Sequence, residues 1–305
     1  MKILSYLFLA LLLHSQAYAL DFKEVIKETV KQQVEQKDDT KKPTAESTNN
    51  TPSSNSATTS TVQDGRTLPE FNWKNPSKKE EIALGREITG NLLGAAPLVK
   101  DDALQVYVNK VGRWVASQSD RPNLPWHFGV IESNDLNAFA APGGYVLITK
   151  GLYQKLQNEA QLAGVLAHEI GHVTKKHHLR VIQKQQLLNI GAQLLDNSVG
   201  KNNQLVSDVI GSGAEISARG LDKSAEYEAD RLGITYATRA GYEPLGLAEV
   251  LQMLDQTNPQ DDSVALLFKT HPLPEKRLSA LNDTVGNRLD RIQGKNLASR
   301  FYQIK

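Results

Sequence analysis

Apolar residues are spread unevenly along the chain. Ile3 to Leu13 is a continuous apolar run preceded by Lys2 and followed by Ala17-Tyr18-Ala19. A short apolar stretch behind a positive residue and ahead of an A-x-A site reads as a secretory signal. It is shorter than the roughly 20 residues that span a bilayer. Cleavage after Ala19 is expected, giving an exported, periplasmic chain from Leu20 with no transmembrane anchor. Residues 21–37 place Phe22, Val25, Ile26, Val30 and Val34 at loosely helical spacing, and residues 38–66 hold almost no large apolar side chain. Such a stretch buries too little surface to offset its ordering entropy. The expected organisation is a signal over 1–19, a polar tether over 20–67 and one folded domain over 68–305.

Within that domain the spacing is mostly helical. Ile82, Leu84, Ile88, Leu92 and Leu93 form a stripe over 76–93 that Gly94 ends. Leu104, Val108, Val111 and Val115 form another over 101–117. Residues 126–132 alternate as a strand, and residues 144–149 form a second strand entered through Pro142-Gly143-Gly144. A short helix follows over 150–156. The segment 158–177 reads as one strong helix with Asn158 at its N-cap and Gln161 at the N3 position. Residues 187–220 read as a hairpin of helices or a flap, and helices are expected over 224–240, 244–256 and 275–292. The fold class is α+β, mainly helical with a small sheet.

Composition narrows the chemistry. The chain has 305 residues, 40% of them hydrophobic, and a formal net charge of +1. No global field points to nucleic acid. There is no cysteine, which excludes disulfides, thiolate metal sites, a cysteine nucleophile and a lipid-anchor cysteine. A metal here must be held by nitrogen and oxygen.

The long apolar helix carries His168-Glu169-Ile170-Gly171-His172. Two histidines four apart share a helix face, so both can grip one zinc ion, and Glu169 beside the first can act on water as a base. The neighbours Ala163 to Ala167 are small or apolar, and buried polar groups in such a setting need a partner. A catalytic zinc takes three protein ligands. Glu226 and Asp230, four apart on a later helix, supply a third ligand and a carboxylate able to orient a ligand histidine. His177 and His178, beside Lys175, Lys176 and Arg180, read as a solvated basic helix end. His127 reads as a solvent-facing strand residue. Gly143, Gly144, Tyr145, Val146 and Leu147 are expected to form an edge strand bordering the zinc cleft, where an extended peptide could pair.

Several ordered motifs give a resemblance to a known family. They are Glu81 to Arg86, Asn137 to Gly144, Leu166 to His172, Glu226 to Asp230, and Thr270-His271-Pro272 with Arg277. Together they resemble the zinc endopeptidases that include the prenyl-protein CAAX protease, HtpX, the Oma-type protease, BepA and LoiP. The resemblance covers roughly 76–285. It implies a gluzincin fold, with His168, His172 and Glu226 as zinc ligands and Glu169 as catalytic base. It also implies a place for His271 near the metal, as a fourth ligand in a closed state or an oxyanion donor; a plain loop histidine is the alternative. Arg277 either pairs with acidic residues at the site or lies on a solvated helix. The implied partners are polypeptides, unfolded or outer-membrane proteins among them. A zinc-stabilised chaperone or assembly factor with little proteolysis is the competing function, and the intact Glu169 favours the peptidase.

Overall fold

The computed structural model describes residues 71–195 and 221–304. The expected signal and tether, and the part of the expected 187–220 hairpin or flap beyond Leu195, lie outside the described residues.

Helix α1 (Lys78–Ala95) opens the described domain. Ser77 and Glu80 close a reciprocal capping box at its start, satisfying backbone N–H groups that the first turn leaves free. The helix continues through Gly94, against the sequence expectation, because a glycine ends a helix only where the backbone turns left-handed. Helix α2 (Asp102–Ala116) is capped by Asp101. Then come strands β1 (His127–Ile131), β2 (Ala138–Ala141) and β3 (Tyr145–Thr149). Strand β2 escaped the sequence reading because Ala-Phe-Ala-Ala has little intrinsic strand preference. Its pairing with β3 supplies the order.

The sheet runs β1-β3-β2, parallel between β1 and β3 and antiparallel between β2 and β3. Both faces are buried. Phe128, Val130, Ala138, Ala140, Val146 and Ile148 join the main core with α2. Ile131, Phe139, Ala141 and Leu147 pack against Leu84, Ile88 and Leu92 of α1. Alternate residues of a strand point to opposite faces, so a sheet covered on both sides is apolar throughout.

The remaining elements are α3 (Lys150–Lys155), α4 (Glu159–Thr174), α5 (His177–Leu195), α6 (Lys223–Arg239), α7 (Gly246–Asp255), α8 (Asp262–Thr270), α9 (Pro274–Val285) and two short 3₁₀ turns. Every residue of α4 is buried, which explains the small and apolar run around its histidines. The expected helix over 158–177 is in fact two. Lys176 takes a left-handed φ of 57°, and the chain turns there into α5. Helix α8 was not foreseen; it delivers His271 at its C-cap.

Two sequence motifs form one joint. Gly143 N–H donates to Glu81 Oε1 at 3.2 Å, and Arg121 grips the same carboxylate at 2.7 and 3.0 Å. A side chain on Gly85 would overlap the Pro142 carbonyl. Helix α1 therefore holds the β2–β3 turn, where Gly143 and Gly144 have φ of 79° and 106°. In contrast, nothing lies near an added Cβ at Gly90 in the same helix. Gly90→Ala should raise unfolding stability by roughly 0.5–1 kcal/mol, as in an exposed helix interior. Gly85→Ala should lower it by about 1–3 kcal/mol through overpacking. Chemical denaturation of the two variants checks this opposition of sign.

Candidate metal centre

The centre lies where α4 and α6 approach closely. Gly171 of α4 faces the Ala229 backbone and Gly233 of α6 faces the His168 backbone, an added Cβ lying 3.2 Å from the nearest of those backbone atoms in each case. That closeness aligns His168 and His172 on one helix with Glu226 and Asp230 on the other. His168 and Glu169 are 3% exposed, Asp230 1%, and His172 and Glu226 0%.

The donor atoms converge. His168 Nε2 and His172 Nε2 are 3.0 Å apart. Glu226 Oε2 lies 3.7 Å from His168 Nε2, and Glu226 Oε1 lies 3.5 Å from His172 Nε2. Donors about 2.0–2.1 Å from a tetrahedral ion sit roughly 3.3 Å from one another. Adding His271, one atom from each of the four side chains falls within 4.8 Å of all the others.

Hydrogen bonds behind the donors fix which nitrogens carry protons. Asp230 Oδ1 is 2.9 Å from His168 Nδ1. Arg277 holds Asp230 through Nε and Nη2 at 2.9 and 2.5 Å; it is 4% exposed and so not a solvated helix residue. An ionised carboxylate only accepts, so the shorter Asp230 contact assigns the proton to His168 Nδ1; Arg277 Nη2, 3.2 Å from that nitrogen, donates to Asp230 instead, and His168 Nε2 presents a lone pair. On the other side, His177 Nε2 is 3.1 Å from Glu228 Oε2 and its Nδ1 is 2.9 Å from His172 Nδ1. His177 therefore donates to Glu228 and accepts from His172, leaving His172 Nε2 bare as well. Two lone pairs and a carboxylate then face one another in a dry interior, and Glu226 Oε1 has no hydrogen-bond partner among the described residues. A cation is what such a set lacks, so these residues fit a metal ion.

Electrostatics agree with this arrangement. Burial drives His172 well below the usual histidine range, with the neighbouring histidines adding to the effect. Burial works to raise Glu226, but His271 and the surrounding cations outweigh it and hold the carboxyl at about 2. Asp230 is held below its usual range against burial, chiefly by Arg277. Glu169 is pushed up by burial, only partly countered by His168 and His271. A raised carboxyl beside a cleft suits a base that must later give its proton back.

His271 Nδ1 lies 2.7 Å from Glu226 Oε2, a hydrogen-bond length shorter than a tetrahedral ligand edge. Burial would lower His271, yet the Glu226 carboxylate raises it. A small pocket lies beside the cluster, lined by Ala138, Phe139, Ala140, Glu169, His178 and His271 among others.

Three expectations need correction. The 143–147 segment is no edge: β3 is paired on both sides, and the edge bordering the pocket is β2. His177 is 3% exposed rather than solvated, because the left-handed turn at Lys176 folds it back onto His172. His178 lines the pocket half-buried. A helix drawn straight through 177 hides both placements, and no glycine, asparagine or proline marks the break. His127 does face solvent, stacked on Tyr145 with ring centroids 5.0 Å apart.

Among known proteins, the chain is similar to the Beta-barrel assembly-enhancing protease of Escherichia coli K12, with 33% identity over 208 residues. That stretch is 66% of this chain and 42% of the relative, so the chain spans less than half the relative's length. It is also similar to Mitochondrial metalloendopeptidase OMA1 of Schizosaccharomyces pombe, 26% identical over 58% of this chain and 52% of that protein. Metalloprotease YcaL of Escherichia coli K12 is 27% identical over 53% of this chain and 63% of that protein. Residues 102–285, which carry every side chain of the centre, match Peptidase family M48. The chain belongs to Peptidase family M48.

Proposed function

We propose that this protein is an exported zinc-dependent endopeptidase that cuts unfolded or misassembled envelope proteins. The observation that carries the reading is the convergence of His168, His172 and Glu226 donors at near-tetrahedral spacing beside the buried Glu169. In this reading those three hold zinc. A zinc ion there would polarise the scissile carbonyl and acidify water. Glu169 takes a proton from the attacking water at its carboxylate and delivers it to the leaving amine. Asp230, itself gripped by Arg277, keeps His168 turned toward the centre. His271 engages Glu226 through Nδ1, which leaves its other ring nitrogen to meet a substrate oxygen.

Among the described strands, one sheet edge is left at which a peptide would pair. The outer edge of β1 is sealed. Gln105 bonds both Val130 N–H and Val130 C=O at 2.9 Å, and Asn109 Oδ1 accepts from Phe128 N–H at 3.2 Å. No described strand pairs with the outer edge of β2, which runs along the pocket holding Glu169 and His271. An extended substrate bound there would be held mainly by backbone hydrogen bonds, and such binding selects for unfolded chain more than for sequence. Among the described residues no helix is long and apolar enough to cross a membrane. The relatives named for β-barrel assembly support an envelope role for the substrates.

The reading is tested by degradation of casein with the mature protein. Glu169→Gln should lower kcat/KM by about 10²–10⁴-fold while keeping bound zinc, and a chelator should abolish cleavage by the wild type. Full activity in either case would refute the mechanism. Glu226→Ala should lose stoichiometric zinc in elemental analysis, whereas His271→Ala should keep it and lose turnover; zinc loss in both would make His271 a ligand. Mass spectrometry of the exported protein should show a mature N-terminus at Leu20, and retention of residues 1–19 would contradict cleavage at Ala19.

A further inference from the structure

His168 and His172 are supported differently. His168 leans on a carboxylate locked by Arg277, fully inside the protein. His172 leans on another histidine. From His172 Nδ1 the bond runs 2.9 Å to His177 Nδ1, then 3.1 Å from His177 Nε2 to Glu228 Oε2. The Glu228 side chain is 38% exposed, and Lys175 Nζ stands 4.0 Å from its other oxygen. The chain of bonds thus leads from the centre of the protein to its surface. It depends on the break between α4 and α5, where Lys176 adopts φ 57°, because an unbroken helix would carry residue 177 off the histidine face.

We propose that His177 and Glu228 are positioning residues for His172: Glu228 fixes the tautomer of His177, and His177 in turn holds His172 with Nε2 bare and aimed at the metal. This rests on the metal reading above. The arrangement fits in every proton. Glu228 only accepts, so His177 Nε2 must donate; His177 Nδ1 then accepts, so His172 Nδ1 must donate; His172 Nε2 is left as a lone pair. Partners of this kind orient a ligand ring and raise its basicity, and their loss weakens metal binding by about 10–100-fold. A purely structural His177 would instead be replaceable by an apolar side chain of similar size at no cost to the metal.

The test is zinc affinity of the mature protein, measured by competition with a chromophoric chelator. His177→Leu should bind zinc about 10–100-fold more weakly. His177→Gln should recover most of that loss, because its amide oxygen can accept from His172 while its nitrogen donates to Glu228. Glu228→Ala, at a half-exposed site, should fold normally and fall between them. Thermal unfolding of the metal-free forms should show that His177→Leu still unfolds cooperatively above the assay temperature, which separates weakened metal binding from loss of the fold. Wild-type affinity in His177→Leu, or equal losses in the Leu and Gln variants, would overturn the proposal. A wild-type protein that binds no zinc would instead refute the metal centre itself.

Discussion

Six ionisable side chains, His168, Glu169, His172, Glu226, Asp230 and Arg277, sit in the interior of a helical domain, none more than 4% exposed. Burying that much charge is tolerable only if every group finds a counterpart. Arg277 and Asp230 satisfy each other, and Asp230 also takes the His168 proton. His172 Nδ1 donates outward to His177. What remains is an inward set of two unprotonated imidazole nitrogens, with Arg277 Nη2 3.4 Å from that of His168, and the unpartnered oxygen of Glu226. The close contact of α4 with α6 through Gly171 and Gly233 forces these groups together, so the same packing that makes the interior costly also defines a site for a cation.

The sheet answers to that centre. Strand β2 lies along the pocket, and its position depends on the turn into β3, which α1 clamps through Glu81 and Gly85. Arg121 locks Glu81 in turn. The motif around Glu81 is thus far from the His168 cluster in sequence, yet it determines where strand β2 stands. The opposite edge at β1 is closed by Gln105 and Asn109. The other edge, that of β2, which no described strand pairs, is the one beside Glu169.

Much of this was legible in the sequence where chemistry and periodicity coincide. The HExxH spacing, the apolar surroundings and the Glu226/Asp230 pair follow from helical geometry alone, and the structure brings those residues together. Strand identity was harder to read. Ala138 to Ala141 lacks β-branched residues, so only pairing with β3 reveals it, and the edge was accordingly assigned one strand too late. His177 was misplaced for a different reason. Its burial depends on a single left-handed residue at Lys176, a conformation that lysine does not advertise. Helix α8 has a local signature in the Asp261 cap and the Val264/Leu267 spacing, whereas the burial of Arg277 arises from tertiary contacts.

The most direct measurement of the centre is X-ray absorption at the zinc edge on the purified mature protein, joined to anomalous diffraction at the same edge. Zinc should appear with two imidazole nitrogens and a carboxylate oxygen at about 2.0–2.2 Å, and the anomalous peak should fall between His168 Nε2, His172 Nε2 and Glu226. A purified protein without zinc, or zinc bound elsewhere with an all-oxygen shell, would contradict the centre described here.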